Sequence, residues 1–252
     1  MYLHPLIAGI PQSERAALVK KSELRTFKRN EVIVAFDEKT SYIYCIASGL
    51  ARVVVPSGGE EGVTTEFVRQ DDFFMGPTLM EPSYHADASL VAALPTTAYV
   101  VPIVAMKELC LKYPEISLGL FELARKRLVV LRAQLRRIAS QSSEKLVSRI
   151  LHELTQLAPT ASGGYDKRIT QSVIASYSGL SREQVNKTIR DLEGRGLVTK
   201  DAEGVHVPPD FAATDFRTLP IQESLPKVEP TVTTFFPDLF DEETFAIARK
   251  KR

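Results

Sequence analysis

The sequence is poor in the residues that mark disulfide-linked, metal-bound and membrane proteins. Its 252 residues include only two cysteines, Cys45 and Cys110, each in an apolar context, which argues against a disulfide framework and a cysteine-built metal cage. No stretch reaches the roughly 18 uninterrupted apolar residues of a membrane span, and residues 1–18 lack the positively charged start and apolar run of a signal peptide. We therefore expect a cytoplasmic protein with no membrane contact and no metal site.

An excess of charge of one sign is also missing. The 32 lysine and arginine residues nearly balance the 31 aspartate and glutamate residues, so the overall charge neither favours nor opposes a nucleic-acid partner, and only a local basic patch would be informative. The four histidines, His4, His85, His152 and His206, lie apart in the sequence. Because the chain also has no phosphate loop and no nucleophile elbow, we predict that it is not an enzyme.

The first half of the chain has the pattern of a β domain. Residues 24–101 contain short apolar segments such as "EVIVAF" and "YIYCIASGLARVVV", separated by clusters of Asp, Gly, Pro and Ser. Short strands at regular spacing predict a compact β-barrel or jelly roll. Apolar residues at helical spacing over residues 6–24 predict a helix before it. We assign residues 1–114 to this β domain.

The pattern becomes helical after Ile103, and Pro114 places the start of a long helix near Glu115. One stripe of this helix has apolar residues at spacings of three, four and three, the pattern of a helix that pairs with a copy of itself. The stripe consists of Leu128, Leu131, Leu135 and Ile138. Because it is shorter than two heptads, packing against the β domain remains an alternative. We assign residues 115–157 to a dimerisation helix and hinge.

A second compact unit is predicted over residues 158–207. After the loop "APTASGGYDKR" come a helix in "ITQSVIASYSG", a helix over residues 181–195 and two short strands in "LVTKDAEGVHV". Ser181 and Gln184 form the capping box of the second helix. An apolar helix, a tight turn, a capped helix and a hairpin follow each other in a winged helix-turn-helix, whose second helix enters the DNA major groove by its N-terminal residues.

The second helix has one apolar side and one polar side. Val185, Ile189 and Leu192 fall on the apolar side, and the polar side has the side chains that contact bases and phosphates. The alternative is a solvated face with charge pairs such as Glu183 with Lys187. The elements around the helix favour DNA contact. The candidate DNA-binding residues are Thr170, Ser181, Arg182, Glu183, Asn186, Lys187 and Arg190.

At these residues the chain resembles the CRP/FNR family of bacterial transcription regulators. "ITQSVIASYSGLSREQVNKTIRDLEGRGLV" is similar to the family's DNA-reading motif, and "YIYCIASGLARVVV", residues 71–76 and the long helix are similar to its sensor domain and dimer helix. The resemblance covers about residues 6–207. It implies an α+β fold with an N-terminal cyclic-nucleotide-binding-like β jelly roll, a long dimerisation helix, a C-terminal winged helix-turn-helix and a C-terminal extension.

The resemblance also implies a function. It implies a homodimeric, sequence-specific transcription regulator that binds double-stranded DNA at a two-fold symmetric site and contacts RNA polymerase through the loop at residues 158–166. Arg182 and Glu183 would be the principal base readers. Lys187 stands where the catabolite activator of this family has a third base-reading arginine, and lysine lacks the bidentate fork. The alternative is a ligand- or protein-binding module that uses the winged helix as an interaction surface.

The sensor pocket departs from the pattern of the family's cyclic-nucleotide binders. Those members have a Gly-Glu-Leu stretch followed by an Arg-Ser pair, whereas here Gly76 is followed by proline and threonine, and the Arg-Ser position falls on Ala86 and Asp87. An aspartate repels a phosphate, so we predict no cyclic AMP binding of the usual kind. The candidate effector-pocket residues are Met75, Gly76, Thr78, His85, Ala86 and Asp87.

The cofactor remains unknown at this point. The iron-sulfur branch of the family needs several cysteines, most of them near the N-terminus, and no cysteine precedes Cys45. Met75 and His85 leave haem as an alternative, although a single histidine without a matching motif is more often an ordinary polar residue. Cys45 is interpreted as a core residue rather than a redox sensor.

The C-terminal extension, residues 208–252, carries no motif that we can assign. Its prolines and lack of a sustained period indicate a linker or irregular tail, and a last helix is predicted from Asp238. Docking of this tail on its own dimer is the alternative. The side chains that would dock are Phe235, Phe236, Leu239, Phe240 and Phe245.

Overall fold

The N-terminal segment is a turn and a helix that close one end of the β domain. The structure is a computed structural model and describes residues 4–57 and 62–212. A 3-10 turn spans Pro5–Ile7, and helix α1 spans Gln12–Lys21. The helix predicted over residues 6–24 is therefore shorter than expected. Ile7 and Ile10 lie before α1, and both are buried in the core of the β domain.

The β domain is an antiparallel jelly roll, as the sequence predicts. Strands β1-β10-β4-β7 form one sheet, β2-β9-β5-β6 form the facing sheet, and β3 pairs with β8. The strands are β1 (Glu23–Phe27), β2 (Val32–Val34), β3 (Lys39–Thr40), β4 (Tyr42–Ser48), β5 (Leu50–Val55), β6 (Val63–Arg69), β7 (Phe73–Phe74), β8 (Tyr84–His85), β9 (Ser89–Ala92) and β10 (Thr96–Pro102). Apolar side chains such as Ile43, Val68 and Leu90 fill the space between the sheets. Strand β6 lies at the edge of its sheet.

Three helices follow the jelly roll. They are α2 (Ile103–Lys112), α3 (Pro114–Ser140) and α4 (Ser143–Leu157). Pro114 occupies the first turn of α3, where its missing N–H would have no helical partner. The region that the sequence grouped as one long helix and hinge is two helices, because Gln141 is extended and the Ser142 hydroxyl caps α4 by accepting the Lys145 N–H.

Helix α4 shares its core with the C-terminal unit. That unit contains β11 (Tyr165–Asp166), α5 (Gln171–Ser178), α6 (Arg182–Gly194), β12 (Thr199–Lys200) and β13 (Gly204–His206), with the strands in the order β11-β13-β12. Val147 and Leu151 of α4 are fully buried with Val185 and Leu192 of α6. The predicted order of helix, turn, helix and hairpin is confirmed, and the structure adds α4 and β11 to it.

The end of the described chain is a 3-10 turn at Pro209–Ala212, where Phe211 packs against the same core. The rest of the predicted extension lies outside the described residues. This includes the helix predicted from Asp238 and the aromatic residues predicted to dock, which are Phe235, Phe236, Leu239, Phe240 and Phe245.

His4 ties the N-terminal segment to the β domain. Its Nε2 lies 2.7 Å from the carbonyl oxygen of Asp71, and its Nδ1 accepts the N–H of Leu6 at 3.0 Å. The ring also makes an edge contact with Phe73, with 4.8 Å between centroids. Both nitrogens are used only if the imidazole is neutral with its proton on Nε2. Burial lowers the pKa of His4 below its ordinary value.

We expect His4 to make the protein less stable below neutral pH. As the pH falls past the ordinary histidine pKa of about 6.5, the unfolded chain binds a proton at His4 before the folded chain does. The free energy of unfolding should therefore fall between pH 7.5 and 5.5, by at most about 1.4 kcal/mol per pH unit for this proton. His4→Gln should reduce that slope in urea unfolding.

The comparison of the wild type with His4→Gln isolates the contribution of His4 to the pH dependence. The pKa of His152 is also lowered by burial, but that residue is present in both proteins and contributes equally. Identical pH slopes for the wild type and His4→Gln would show that His4 does not titrate differently in the folded and unfolded chains.

Candidate DNA-binding interface and sensor pocket

The start of α6 is fixed by local hydrogen bonds that the sequence predicts. The Ser181 hydroxyl accepts the N–H of Gln184 at 3.1 Å, and the Gln184 side-chain oxygen accepts the N–H of Ser181 at 3.0 Å. Gly179, with φ +72°, makes the left-handed turn between α5 and α6 that glycine adopts most easily. Thr170 caps α5 through its side chain. The capping box is therefore confirmed.

The two sides of α6 differ as predicted. Val185, Ile189 and Leu192 are buried. Asn186 is half-buried, and the charged side chains of the polar face are exposed. These are Arg182, Glu183, Lys187 and Arg190. In the described part of the chain, none of the four forms an ion pair, so the Glu183–Lys187 pair of the alternative interpretation is not made.

The C-terminal end of α6, in contrast, is tied to the rest of the unit. The Arg195 guanidinium donates to Glu144 of α4 at 2.7 Å, and Lys200 of β12 pairs with Glu193. The charges at this end are thus balanced within the protein, whereas those at the N-terminal end are left exposed. In a helix-turn-helix, the N-terminal end of the second helix is the end that enters the major groove.

Further polar groups lie around the start of α5. Thr170 and Lys167 are exposed. Arg168 forms a close pair with Asp166 and lowers the pKa of that carboxyl. Asp201 shapes the tip of the hairpin by accepting the N–H groups of Glu203 and Gly204 at 2.7 and 2.8 Å. The wing that the sequence predicts is therefore a short, locally hydrogen-bonded turn.

The apolar stripe of α3 faces away from the core. Leu128 is 45% exposed, Leu131 36%, Leu135 69% and Ile138 42%. The buried residues of α3 are others and include Ile116, Leu120 and Ala133. Packing of the stripe against the β domain, the alternative left open by the sequence, does not occur in this chain.

A buried polar network that the sequence did not indicate joins α3, α4 and α5. Arg137 of α3 donates to Glu153 of α4 at 3.0 Å, and the hydroxyl of Tyr177 of α5 donates to the same carboxylate at 3.0 Å. Gln134 of α3 donates to the backbone carbonyl of Tyr177 at 2.9 Å. Burial and the Glu153 charge raise the pKa of Tyr177 well above its ordinary range. The tyrosine therefore stays a neutral donor.

The predicted effector-pocket residues are only partly brought together. A Cβ on Gly76 would lie 2.1 Å from the Tyr84 ring, so the glycine lets the 75–78 segment approach β8. Ala86 is buried and bonded to Glu38 through its backbone, whereas Asp87 is exposed. His85 is on the surface with Nδ1 3.0 Å from the carbonyl oxygen of Asp37. Met75 is half-buried, and Thr78 accepts the N–H of Met80.

Glu66 of β6 is a further charged group of the sensor domain. Its carboxylate lies 3.7 Å from Nε of Arg127 on α3. Burial raises the pKa of Glu66, the Arg127 charge opposes that rise, and the carboxylates of Asp72 and Asp87 add to it. No local pattern in the sequence indicates the Glu66–Arg127 contact, because 61 positions separate the two residues.

Cys45 lies in the core. It is 1% exposed, and burial raises the pKa of its thiol to about 12. A buried, protonated thiol is a poor nucleophile and a poor metal ligand. Among residues 4–57 and 62–212 there is no cluster of three or more side chains that could hold a metal ion, and no helix of those residues is long and apolar enough to cross a membrane.

Comparison with known proteins matches both halves of the chain. Residues 24–113 match the cyclic nucleotide-binding domain family, and residues 144–208 match the Crp-like helix-turn-helix domain family. A CRP-like cAMP-activated global transcriptional regulator of Mycobacterium tuberculosis is 28% identical over 213 residues, which cover 79% of this chain and 90% of that protein. The chain belongs to the CRP/FNR family of transcription regulators.

Solved structures of this family share the fold. FixK2 from Bradyrhizobium japonicum superposes with a TM-score of 0.67 at 16% identity, covering 76% of this chain and 94% of FixK2. The c-di-GMP responsive regulator CLP from Xanthomonas campestris has a TM-score of 0.66 at 16% identity, covering 78% and 99% of the two chains. The α+β architecture predicted from the sequence is therefore confirmed, and the chain is a DNA-binding transcription regulator by family.

Proposed function

We propose that this CRP/FNR regulator acts as a homodimer that reads a two-fold symmetric DNA site with one α6 helix in each half-site. The observation that carries the proposal is the polar face of α6. Arg182, Glu183, Lys187 and Arg190 are exposed and unpaired within the described residues. They follow a capped N-terminus, which is the geometry that groove entry requires.

Each polar residue then has a role set by its chemistry. Arg182 donates a fork to guanine, Glu183 accepts from cytosine, and Asn186 binds adenine on two edges. Lys187 donates as a point charge, so its base preference is weaker than that of an arginine. Arg190 reaches bases or phosphates. Ser181 and Thr170, at the starts of two helices, bind phosphates together with the first backbone N–H groups.

Replacement of Arg182 tests this proposal. Arg182→Ala should weaken binding to a site selected by the wild type from random DNA by roughly 1 to 3 kcal/mol per subunit and relax specificity at one base pair of each half-site. Fluorescence anisotropy and footprinting measure both effects. Arg195→Ala is the matched control, because it removes an arginine from the other end of α6, where Glu144 is its partner.

An unchanged footprint in Arg182→Ala would count against groove entry by α6.

The salt dependence of binding distinguishes DNA binding from the alternative function, an interaction module. Binding to DNA phosphates should weaken steeply with added salt because counterions are released. An interaction module that binds a protein through an apolar surface should show little salt dependence, and a flat salt profile would favour that alternative.

The exposed stripe of α3 supports the homodimer. Four apolar side chains in a/d spacing that are 36–69% exposed leave a surface that water solvates poorly. The stripe lies along a 27-residue helix, and pairing two such helices would bury it in a parallel coiled coil. A symmetric pair would also place the two α6 helices about one DNA turn apart, which matches a two-fold site.

A charge in the stripe should therefore disrupt the dimer. Leu135→Glu places two carboxylates in the paired seam, so we expect monomers at concentrations where the wild type is dimeric, together with loss of binding to the two-fold site. Analytical ultracentrifugation over a concentration series measures this. Leu111→Glu is the control, because Leu111 is 73% exposed on α2, outside the stripe. A Leu135→Glu protein that remains dimeric would contradict the proposed interface.

We also propose that cyclic AMP does not bind in the family's usual way. Asp87 occupies the position at which the cyclic-nucleotide binders hold the phosphate, and its charge acts on the half-buried carboxylate of Glu66. Arg127, a cation on the facing helix, is paired with Glu66. The M. tuberculosis relative is described as cAMP-activated, so this chain would differ from it in its effector.

Calorimetry tests the effector proposal. Titration of the protein with cyclic AMP should give no stoichiometric binding heat, and saturating nucleotide should leave DNA affinity unchanged, because carboxylates repel the phosphate. The same preparation titrated with its DNA site shows that it is active. Tight, stoichiometric binding of cyclic AMP would overturn the proposal. An absorption spectrum and a mass spectrum of the native protein show whether it binds haem, which is the alternative effector.

The remaining assignments follow from this function. A bacterial regulator of this kind works in the cytoplasm, and the loop at residues 158–166 is the surface proposed to contact RNA polymerase. Ala161, Ser162 and Gly163 at its tip are exposed, and Thr160 holds the loop by a hydrogen bond to Gly164 at 2.9 Å. The division at residues 1–114, 115–157, 158–207 and 208–252 stays a prediction.

A further inference from the structure

The edge strand of the sensor domain is covered by a helix of the DNA-binding unit. Strand β6 ends its sheet, so one side of its backbone has no strand partner. Ser176 of α5 satisfies one of these groups and one backbone group just before the strand. Its hydroxyl accepts the N–H of Thr64 at 2.8 Å and donates to the carbonyl oxygen of Gly62 at 3.0 Å.

The contact extends into the sensor domain. The hydroxyl oxygens of Thr64 and Ser176 are 2.9 Å apart, and Arg52 of β5 donates to the Thr64 hydroxyl at 3.1 Å. Because Ser176 gives its proton to Gly62, the Thr64 hydroxyl donates to Ser176 and accepts from Arg52. Thr64 is only 2% exposed. A chain of hydrogen bonds therefore runs from β5 through β6 to α5.

Apolar contacts accompany this chain. Phe67 of β6 packs edge-on against the ring of Tyr177, with 4.9 Å between centroids. Leu50 and Leu94 of the β domain are buried in the same core as Val173 and Ile174 of α5. Sensor domain and DNA-binding unit thus meet through a packed interface, and Ser176 lies at its polar centre.

The interface acts on α6 through the short turn after α5. Ser176 and Tyr177 are in the last turn of α5, and Gly179 separates them from the cap of α6 at Ser181. On the other side, Gln134 of α3 holds the backbone of Tyr177. In this docked arrangement the polar face of α6 remains exposed, so docking does not block DNA.

We propose that Ser176 is a positioning residue for DNA binding: it locks the DNA-binding unit onto the edge of β6 and so fixes the orientation, and in the dimer the separation, of the two α6 helices. This inference rests on the proposed function, since it concerns a dimer on a two-fold site. If the DNA-binding unit were released from β6, its orientation would have to be fixed again each time the protein binds DNA. This cost lowers the affinity for a site of fixed spacing.

The test varies the spacing between half-sites. Each inserted base pair moves the half-sites about 3.4 Å apart and turns them by about 35°, so the wild type should bind one spacing well and the others poorly. Ser176→Ala should weaken binding to the preferred spacing roughly 5-fold or more and reduce the difference between spacings. Affinity for non-specific DNA and its salt slope should not change, because the DNA-contacting side chains remain.

Matched variants on β6 separate the hydroxyl from general packing. Thr64→Val removes the bridging hydroxyl at nearly constant volume and should act in the same direction, whereas Thr64→Ser keeps the hydroxyl and should behave like the wild type. Thr65→Val makes the same exchange one residue along the strand and should also behave like the wild type. If Ser176→Ala fails to fold, the comparison of Thr64→Val with Thr64→Ser still tests whether the hydroxyl contact sets the spacing preference.

Hydrogen exchange without DNA gives a second readout. The Thr64 amide should exchange faster in Ser176→Ala than in the wild type, because its acceptor is gone. Unchanged exchange and unchanged spacing preference would overturn the inference. Tighter DNA binding by Ser176→Ala would also overturn it, since the docked arrangement would then be inhibitory. Wild-type protein that binds no DNA would instead refute the proposed function. The exchange measurement would still show whether Ser176 protects the Thr64 amide.

Discussion

The burial of Tyr177 is the constraint on which the arrangement of the chain depends. A buried tyrosine needs partners for its hydroxyl and its backbone, and here each partner comes from a different element. Glu153 of α4 accepts from the hydroxyl, Gln134 of α3 donates to the carbonyl, and Phe67 of the sensor domain packs on the ring. One residue thus joins α3, the sensor domain and the DNA-binding unit.

The charges of the protein are divided between a buried and an exposed set. Arg137 and Glu153 are paired inside the protein, where loss of one partner would leave an uncompensated buried charge. Arg182 and Lys187 are exposed on α6, where unpaired cations cost little and attract phosphates. The nearly neutral overall charge hides this local separation, which is why composition alone gave no indication of a DNA partner.

The sensor domain has the fold of the family. Gly76 is required by the Tyr84 ring against which it packs, so this glycine has a structural reason that does not involve a ligand. Glu66 lies beside Arg127 of α3, and the charges of Asp72 and Asp87 act on its carboxylate. A fold does not by itself identify a ligand, so the effector of this protein has to be identified by its own chemistry.

The sequence alone determined the features that depend on residues close together along the chain. The capping box of Ser181 and Gln184, the turn at Gly179 and the two sides of α6 were predicted correctly, and the start of α3 at Pro114 was predicted to within one residue, because each is decided within a few residues. Only the tertiary structure showed where α3 ends and α4 begins, the Glu66–Arg127 pair and the contacts of Tyr177 and Ser176. Thr64 and Ser176 are 112 positions apart, and no local periodicity can indicate which distant hydroxyl will satisfy the free edge of β6.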